Sequence, residues 1–423
     1  MATFKRLPFF YGYVIVAASF LIQAVTWGTS NSFGIFFDPF LKEFGWLRAT
    51  VSGAASLSFL VYGCVSILMG KLNDRFGPRL IMSGCGLFLS LGYLLMTMVH
   101  GVWQLYVFYG LVVGIGMGGA EVIPLSTIAR WFEKKRGTMS GLIKVGTGVG
   151  MVIMPIFITS LLGSHGWRTT YAVLAAVNLI FVISLAQFLV RDPAKKALFP
   201  DNEEIKSPRE GNAGEAGLSF RESVRTRQFG TICVVYFIIL VCVYTILMHI
   251  VQHAIDLGIS TSDAASILAT IGGVSVVGRF VTGWAGDRIG GKLALSICLL
   301  FLLTALCWLL LCKSMWMFYL FAATYGFAHG GFFALMSPLL ARLFGTRAHG
   351  LIFGIVIFIS TIGGAIGPVM AGHVFDVTSS YRIVFLILVA LCSGALGLTM
   401  SLRPILRDAG VSDIGAGKRS VDF

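Results

Sequence analysis

Charged side chains make up only 12% of this chain, about half the share found in a soluble globular domain. That scarcity excludes a protein solvated on every side. A Walker sequence, a nucleophile elbow and any metal-ligand spacing are also missing. ATP-driven work, hydrolase-type nucleophilic catalysis and a bound metal therefore drop out as readings. No cofactor is expected, and nothing points to an enzyme. The eight cysteines, Cys64, Cys242 and Cys307 among them, lie in apolar segments and read as small packing residues. The glycine-rich run Gly114–Gly119 lacks a preceding strand, so helix packing explains it better than a nucleotide loop does. No cleaved signal peptide is expected either. The first apolar run is too long and ends without a small-residue cleavage site, so it reads as a retained helix.

What the chain has instead is apolar length. Long runs fall near 11–37, 48–70, 80–99, 103–129, 138–162, 169–190, 229–255, 264–286, 293–312, 315–341, 350–375 and 383–402. Most match the roughly 20 residues needed to cross hydrocarbon as a helix. The expected fold is an all-α integral membrane protein with twelve transmembrane helices.

The net charge of +13 is an orientation signal, not a nucleic-acid signal. With both termini cytoplasmic, 25 of the 32 Lys and Arg fall on the cytoplasmic side. These include Lys5, Arg6, Arg75, Arg79, Arg130 and eight residues between Arg191 and Arg227. Lys42, Arg48, Arg168, Lys313 and Arg382 fall outside, and only Lys144 and Arg279 lie within the membrane. That asymmetry sets the topology by the positive-inside rule.

The chain is also an internal repeat. Gly70-Lys-Leu-Asn-Asp74-Arg75-Phe-Gly77 returns as Gly283-Trp-Ala-Gly-Asp287-Arg288-Ile-Gly290, at an offset of 213. The same offset carries Gly137, Gly141, Gly150 and Pro155 onto Gly350, Gly354, Gly363 and Pro368. Trp167-Arg168 falls one residue away from matching Tyr381-Arg382. Six spans per copy is an even number, so both copies have the same orientation, as in carriers built from two parallel repeats. The expected division is a six-helix half over 1–190, a cytoplasmic linker over 191–227, a second half over 228–404 and a tail over 405–423. The linker is charged and carries Pro193, Pro200 and Pro208.

Gly70–Gly77 spells the G-x-L-x-D-R-x-G signature found between spans 2 and 3 of the major facilitator superfamily. The chain resembles that superfamily, and within it the monocarboxylate transporter branch with its bacterial oxalate/formate-antiporter-like members. The branch resemblance rests on four features: Tyr11-Gly12-Tyr13-Val14, Arg130-Trp131-Phe132 through Arg136-Gly137, Gly166-Trp167-Arg168 and Gly278-Arg279. It covers all but the linker and tail. It implies a carboxylate carrier working by alternating access, with Arg279 binding the carboxylate. Three departures stand out. Animal members have a lysine where this chain has Asn31, and an aspartate where it has Ser275. The oxalate exchanger's span-11 lysine has no match in Gly354–Gly364, where Ser360 is the nearest polar residue.

Arg279 carries most of the functional reading. An arginine at the bilayer centre costs roughly 2.5–3.5 kcal/mol even on a lenient scale, and it stays protonated. An anion that comes and goes would offset that cost. Glu121 is the only acidic residue deep in any span. It and Lys144 lie at matching depths on adjacent antiparallel helices. Either they form a structural ion pair, or one or both face the cavity, Lys144 as a substrate-binding residue and Glu121 exchanging a proton or alternating between Lys144 and Arg279. His249 and His253, four residues apart in span 7, share a helix face. Either could carry a proton or simply donate a hydrogen bond to the substrate. Packing is the alternative for both. His329 in span 10, beside Gly330 and Gly331, is likewise a candidate to face the substrate cavity, with packing as its alternative. Trp27, Asn31, Phe333 and Phe358 are candidates for an apolar wall. Asp74 and Arg75, with Asp287 and Arg288, are expected to form a cytoplasmic gate.

The resulting expectation is a secondary transporter of small monocarboxylates, lactate- or pyruvate-like, in the cytoplasmic (inner) membrane, working by proton symport and functional as a monomer. The alternative is an organic anion exchanger of the oxalate/formate type without proton coupling. The partners are the carboxylate, protons and the lipid bilayer.

Overall fold

The computed structural model describes residues 10–196, 198–202 and 217–403. Lys5, Arg6, the middle of the expected linker and the 405–423 tail lie outside them. Among the described residues every regular element is helical, and the only β-type pairing is an isolated bridge between Gly217 and Gly345.

Eleven of these helices are long and apolar enough to cross a membrane. One of them, 136–186, has 51 residues, about 76 Å of helix and more than twice the hydrocarbon thickness. It is broken at Gly166, whose φ of 74° and ψ of 171° lie outside the helical region and suit a residue without a Cβ. The chain reverses there. Arg136 hydrogen-bonds the Phe132 carbonyl at one end of this stretch, while at the other Val190 accepts from Trp131 Nε1. Both ends therefore lie on the same side, and the protein crosses the membrane twelve times.

The crossings are α1 (Gly12–Phe44), α2 (Arg48–Phe76), α3 (Pro78–Met96), α4 (Val102–Trp131), α5 (136–165), α6 (167–186), α7 (Arg227–Asp256), α8 (Thr261–Ile289), α9 (Gly291–Leu309), α10 (Met315–Phe344), α11 (His349–Thr378) and α12 (Arg382–Met400). Helix α1 outruns its apolar stretch by way of a 3₁₀ step at Ser32–Phe36. Its outer turn stays ordered because Phe40 is buried against Trp167 and Tyr171. Glu43 completes that end by pairing with Arg168 at 2.6 Å and accepting from Trp167 Nε1 at 2.7 Å.

Two interhelical seams position the site. Helix α2 packs on α11, and α8 packs on α5. Both seams are built from the repeated glycines. A Cβ on Gly70 would strike the Gly350 carbonyl, and one on Gly354 the Ser66 carbonyl. In the other seam, Gly283 and Gly137 face each other's carbonyls, and Gly141 faces the carbonyl of Arg279. Small residues let these backbones touch, and in lipid such packing is what holds helices together. The peripheral helices turn apolar surface outward instead. Leu80 is 63% exposed and Ile180 61%, and Phe88, Leu300 and Leu386 are exposed too. This is the surface a bilayer covers.

Candidate functional site

Three buried charges meet where α4, α5 and α8 approach one another. Lys144 Nζ lies 2.7 Å from Glu121 Oε2, and Arg279 Nη1 donates to the Lys144 carbonyl at 3.2 Å. Glu121 is 5% exposed and Lys144 and Arg279 are 3% exposed each. They lie about 12–15 Å from the ends of their helices on the Arg136 side. The cluster holds two cations and one anion, and among the described residues the buried Arg279 Nε has no hydrogen-bond partner. Burying an uncompensated charge is costly, so the arrangement suits an additional anion.

Local sequence explains how Glu121 reaches Lys144. At Gly118–Ala120, α4 tightens from i−4 to i−3 hydrogen bonding and restarts at Val122. Two adjacent glycines make that distortion inexpensive. Pro124 has no N–H, so the Ala120 carbonyl four residues earlier lacks its helical donor and accepts from Gln23 Nε2 at 2.9 Å; Gln23 Oε1 in turn accepts from Thr147 at 2.9 Å. One buried amide thus ties α1, α4 and α5 together around the ion pair. Sequence reading missed Gln23, although an amide in an apolar span, together with a span-4 proline that leaves a carbonyl without its donor, was a usable signal.

Two rings enclose the lysine. Its Nζ lies 5.7 Å from the Trp27 ring centroid and 5.5 Å from that of Phe333, a cation–π arrangement. Trp27 also lines a cavity of about 170 Å³. Residues of α1, α2, α4 and α7 line it, including Trp27, Asn31, Ser58, Phe59, Tyr62 and Tyr244. Trp27 packs edge-on to Tyr62, and Phe59 contacts both Tyr62 and Tyr244. Trp27 thus borders both this cavity and the lysine.

The other expected site residues divide. Asn31 lines the cavity and donates to the Trp27 carbonyl. His329 stacks on Tyr325 and meets Phe333 edge-on, with its Nδ1 buried and unpartnered. Its neighbour Gly330 packs against the Ser275 carbonyl and the Arg279 amide. Neither span-7 histidine lines the cavity. His249 has both ring nitrogens engaged, Nδ1 with the Tyr381 hydroxyl at 3.1 Å and Nε2 with the Pro368 carbonyl at 3.0 Å. His253 is packed among Phe318, Tyr381 and Phe385. Both therefore sit at a helix junction, the packing alternative. Phe358 is half-buried in α11, outside the lining.

The gate residues divide too. Asp287 accepts from the Gly137 and Thr138 amides at 2.6 and 2.7 Å and from the Thr138 hydroxyl at 2.8 Å. Asp74 accepts from the Gly350 and Leu351 amides at 3.3 and 3.0 Å. Each carboxylate caps the first turn of a helix in the opposite repeat, where orphan amides and the helix dipole favour an anion. Arg75 and Arg288 do not join this contact. They lie over Phe76 and Trp284 of their own helices, at 5.1 and 4.4 Å. Arg130 takes the place expected of Arg75, pairing with Asp74 at 3.2 Å and with Asp192 at 3.4 Å.

Twelve crossings, two matched glycine seams and a buried charge cluster beside a central cavity define a multi-pass membrane transporter. The chain belongs to the Major Facilitator Superfamily, whose family profile matches residues 19–302 and 232–420. Monocarboxylate transporter 13 of Bos taurus is 27% identical over 398 residues, covering 93% of this chain and 89% of its own. The agnestins efflux protein AgnL12 of Paecilomyces divaricatus is 24% identical, covering 85% and 80%. Among solved structures, the E. coli fucose:proton symporter FucP matches with a TM-score of 0.69 at 14% identity, over 92% of this chain and 98% of its own. That likeness concerns the fold.

Proposed function

We propose that the protein moves small monocarboxylates together with a proton by alternating access. The observation that carries the reading is the net positive charge of the Arg279–Lys144–Glu121 cluster. The substrate carboxylate pairs with Arg279, whose planar fork matches it, and draws Lys144 away from Glu121. Glu121 then takes the proton. The empty cluster with Glu121 ionised and the loaded cluster with Glu121 protonated carry the same net charge. A proton alone would leave two uncompensated buried cations, which disfavours uncoupled proton entry. Trp27 and the rings beyond it face the substrate's carbon body. The names of the relatives support a monocarboxylate substrate, and the four sequence features quoted above support the monocarboxylate transporter branch.

In this reading residues 1–190 and 228–404 are the two halves, 191–227 is the linker, and 405–423 is a tail. Both termini face the cytoplasm in the cytoplasmic membrane, a monomer suffices, and the Asp74 and Asp287 caps hold the inner side shut. The test is uptake of radiolabelled lactate, pyruvate, acetate and oxalate into proteoliposomes, with and without an inward proton gradient. Accumulation of a monocarboxylate only on the gradient is expected. Counterflow that ignores pH would establish exchange instead.

A further inference from the structure

A second site lies on the face where α3 begins and α6 ends, apart from the transport path. Here a groove of about 560 Å³ is lined by Arg79, Arg191, Lys195 and Lys196, with Ser83 and Gln187 beside them. Gln187 Nε2 donates to Ser83 Oγ at 3.0 Å. Among the described residues, neither Arg79 nor Lys195 has an ion-pair partner. Lys196 lies over the Tyr11 ring at 4.7 Å, a contact that leaves its charge uncompensated. Asp192 lies 3.3 Å from Arg191 Nε and is shared with Arg130. Four cations thus face one divided carboxylate.

The groove is also continuous with lipid-facing surface. Phe76 and Leu80 form part of its lining and are 52% and 63% exposed. Farther along the same helices, Leu87, Phe88, Ile180 and Phe181 are exposed as well. A ligand here needs a phosphate-like head for the cations and an acyl body for the apolar strip. We infer that this groove binds the headgroup of an anionic phospholipid, with the acyl chains lying along α3 and α6. Cations at the membrane surface attract such lipids with about 1 kcal/mol each, and basic pockets between helices hold their headgroups.

Native mass spectrometry of the full-length protein, titrated with phosphatidylglycerol or phosphatidylcholine of matched chains, tests this. Phosphatidylglycerol should bind about tenfold more tightly than phosphatidylcholine. The pair Arg79→Gln with Lys195→Gln should weaken phosphatidylglycerol binding by about tenfold or more. Arg225→Gln with Arg227→Gln, which neutralises exposed cations outside the groove, should leave binding unchanged. All four positions are outside the transport cluster, and each protein's thermal midpoint confirms that it is folded. Undiminished phosphatidylglycerol binding by the folded Arg79/Lys195 variant would overturn the site. Displacement of the lipid by millimolar glycerol phosphate would overturn the lipid assignment in favour of a soluble phosphate ester.

Discussion

The α2–α11 and α8–α5 seams follow the same plan, yet only one of them carries buried charge. Both bring glycines against facing carbonyls, and both end with an aspartate capping a helix of the other repeat. At the offset of 213, Arg279 corresponds to Ser66, Lys144 to Ile357 and Glu121 to Ala334. Ser66 bonds the Gly354 carbonyl at 3.0 Å where Arg279 bonds that of Lys144. The counterpart serine makes a contact like the arginine's without any charge, so packing alone does not require the arginine. The repeat accounts for the scaffold, and the departures from it mark the chemistry.

The largest effect should come from the charged side of that comparison. Arg279→Lys keeps the charge but loses the fork, and should lower carboxylate uptake by about 100-fold or more, roughly 3 kcal/mol of charge-assisted bonding. Ser66→Ala removes one neutral hydrogen bond, worth about 1 kcal/mol, and should leave uptake within a few-fold. Equal losses at the two positions, measured in proteoliposomes at matched protein density, would erase the distinction between the seams.

Next comes the ion pair. Glu121→Gln strands Lys144 and should cost about 3–5 kcal/mol of stability, seen as a lowered thermal midpoint and little transport. Adding Lys144→Met removes the second charge and should recover folding and substrate counterflow. The double variant should not accumulate substrate on a pH gradient. Gradient-driven accumulation by it would take the proton away from Glu121.

The shared scaffold should respond symmetrically, and less strongly. Gly137→Ala and Gly350→Ala each push a methyl into a facing backbone, and should cost about 1–3 kcal/mol by overpacking. A large cost in one seam with none in the other would show that the seams are not equivalent. The smallest effect on affinity belongs to the caps. Asp74→Asn and Asp287→Asn should expose cysteines placed at the Arg136 end to labelling, with substrate affinity changed only a few-fold. A collapse in affinity would contradict their assignment as gate residues.

Much of the fold was legible in the sequence because apolar length and repeated glycines are local signals. The twelve crossings could be counted, and the Gly137–Gly350 and Gly70–Gly283 correspondences showed the repeat, though not that these glycines meet across two seams. The buried cluster was legible where a residue type was anomalous, as with Arg279, Lys144 and Glu121. The site was not legible where meaning depends on a partner. His249 resembled a proton carrier until Pro368 and Tyr381 were seen to occupy its ring. Arg75 carried the signature while Arg130, 55 residues later, made the contact. Gln23 required knowing that α1 packs against the Ala120 carbonyl that Pro124 leaves without a donor.

Equilibrium binding of the transported monocarboxylate to purified Arg279→Gln protein tests the central claim most directly. If the arginine is the carboxylate partner, the folded variant should bind at least about 100-fold more weakly than wild type, while Ser66→Ala binds within a few-fold of it. Wild-type affinity in a monodisperse Arg279→Gln protein would contradict the account.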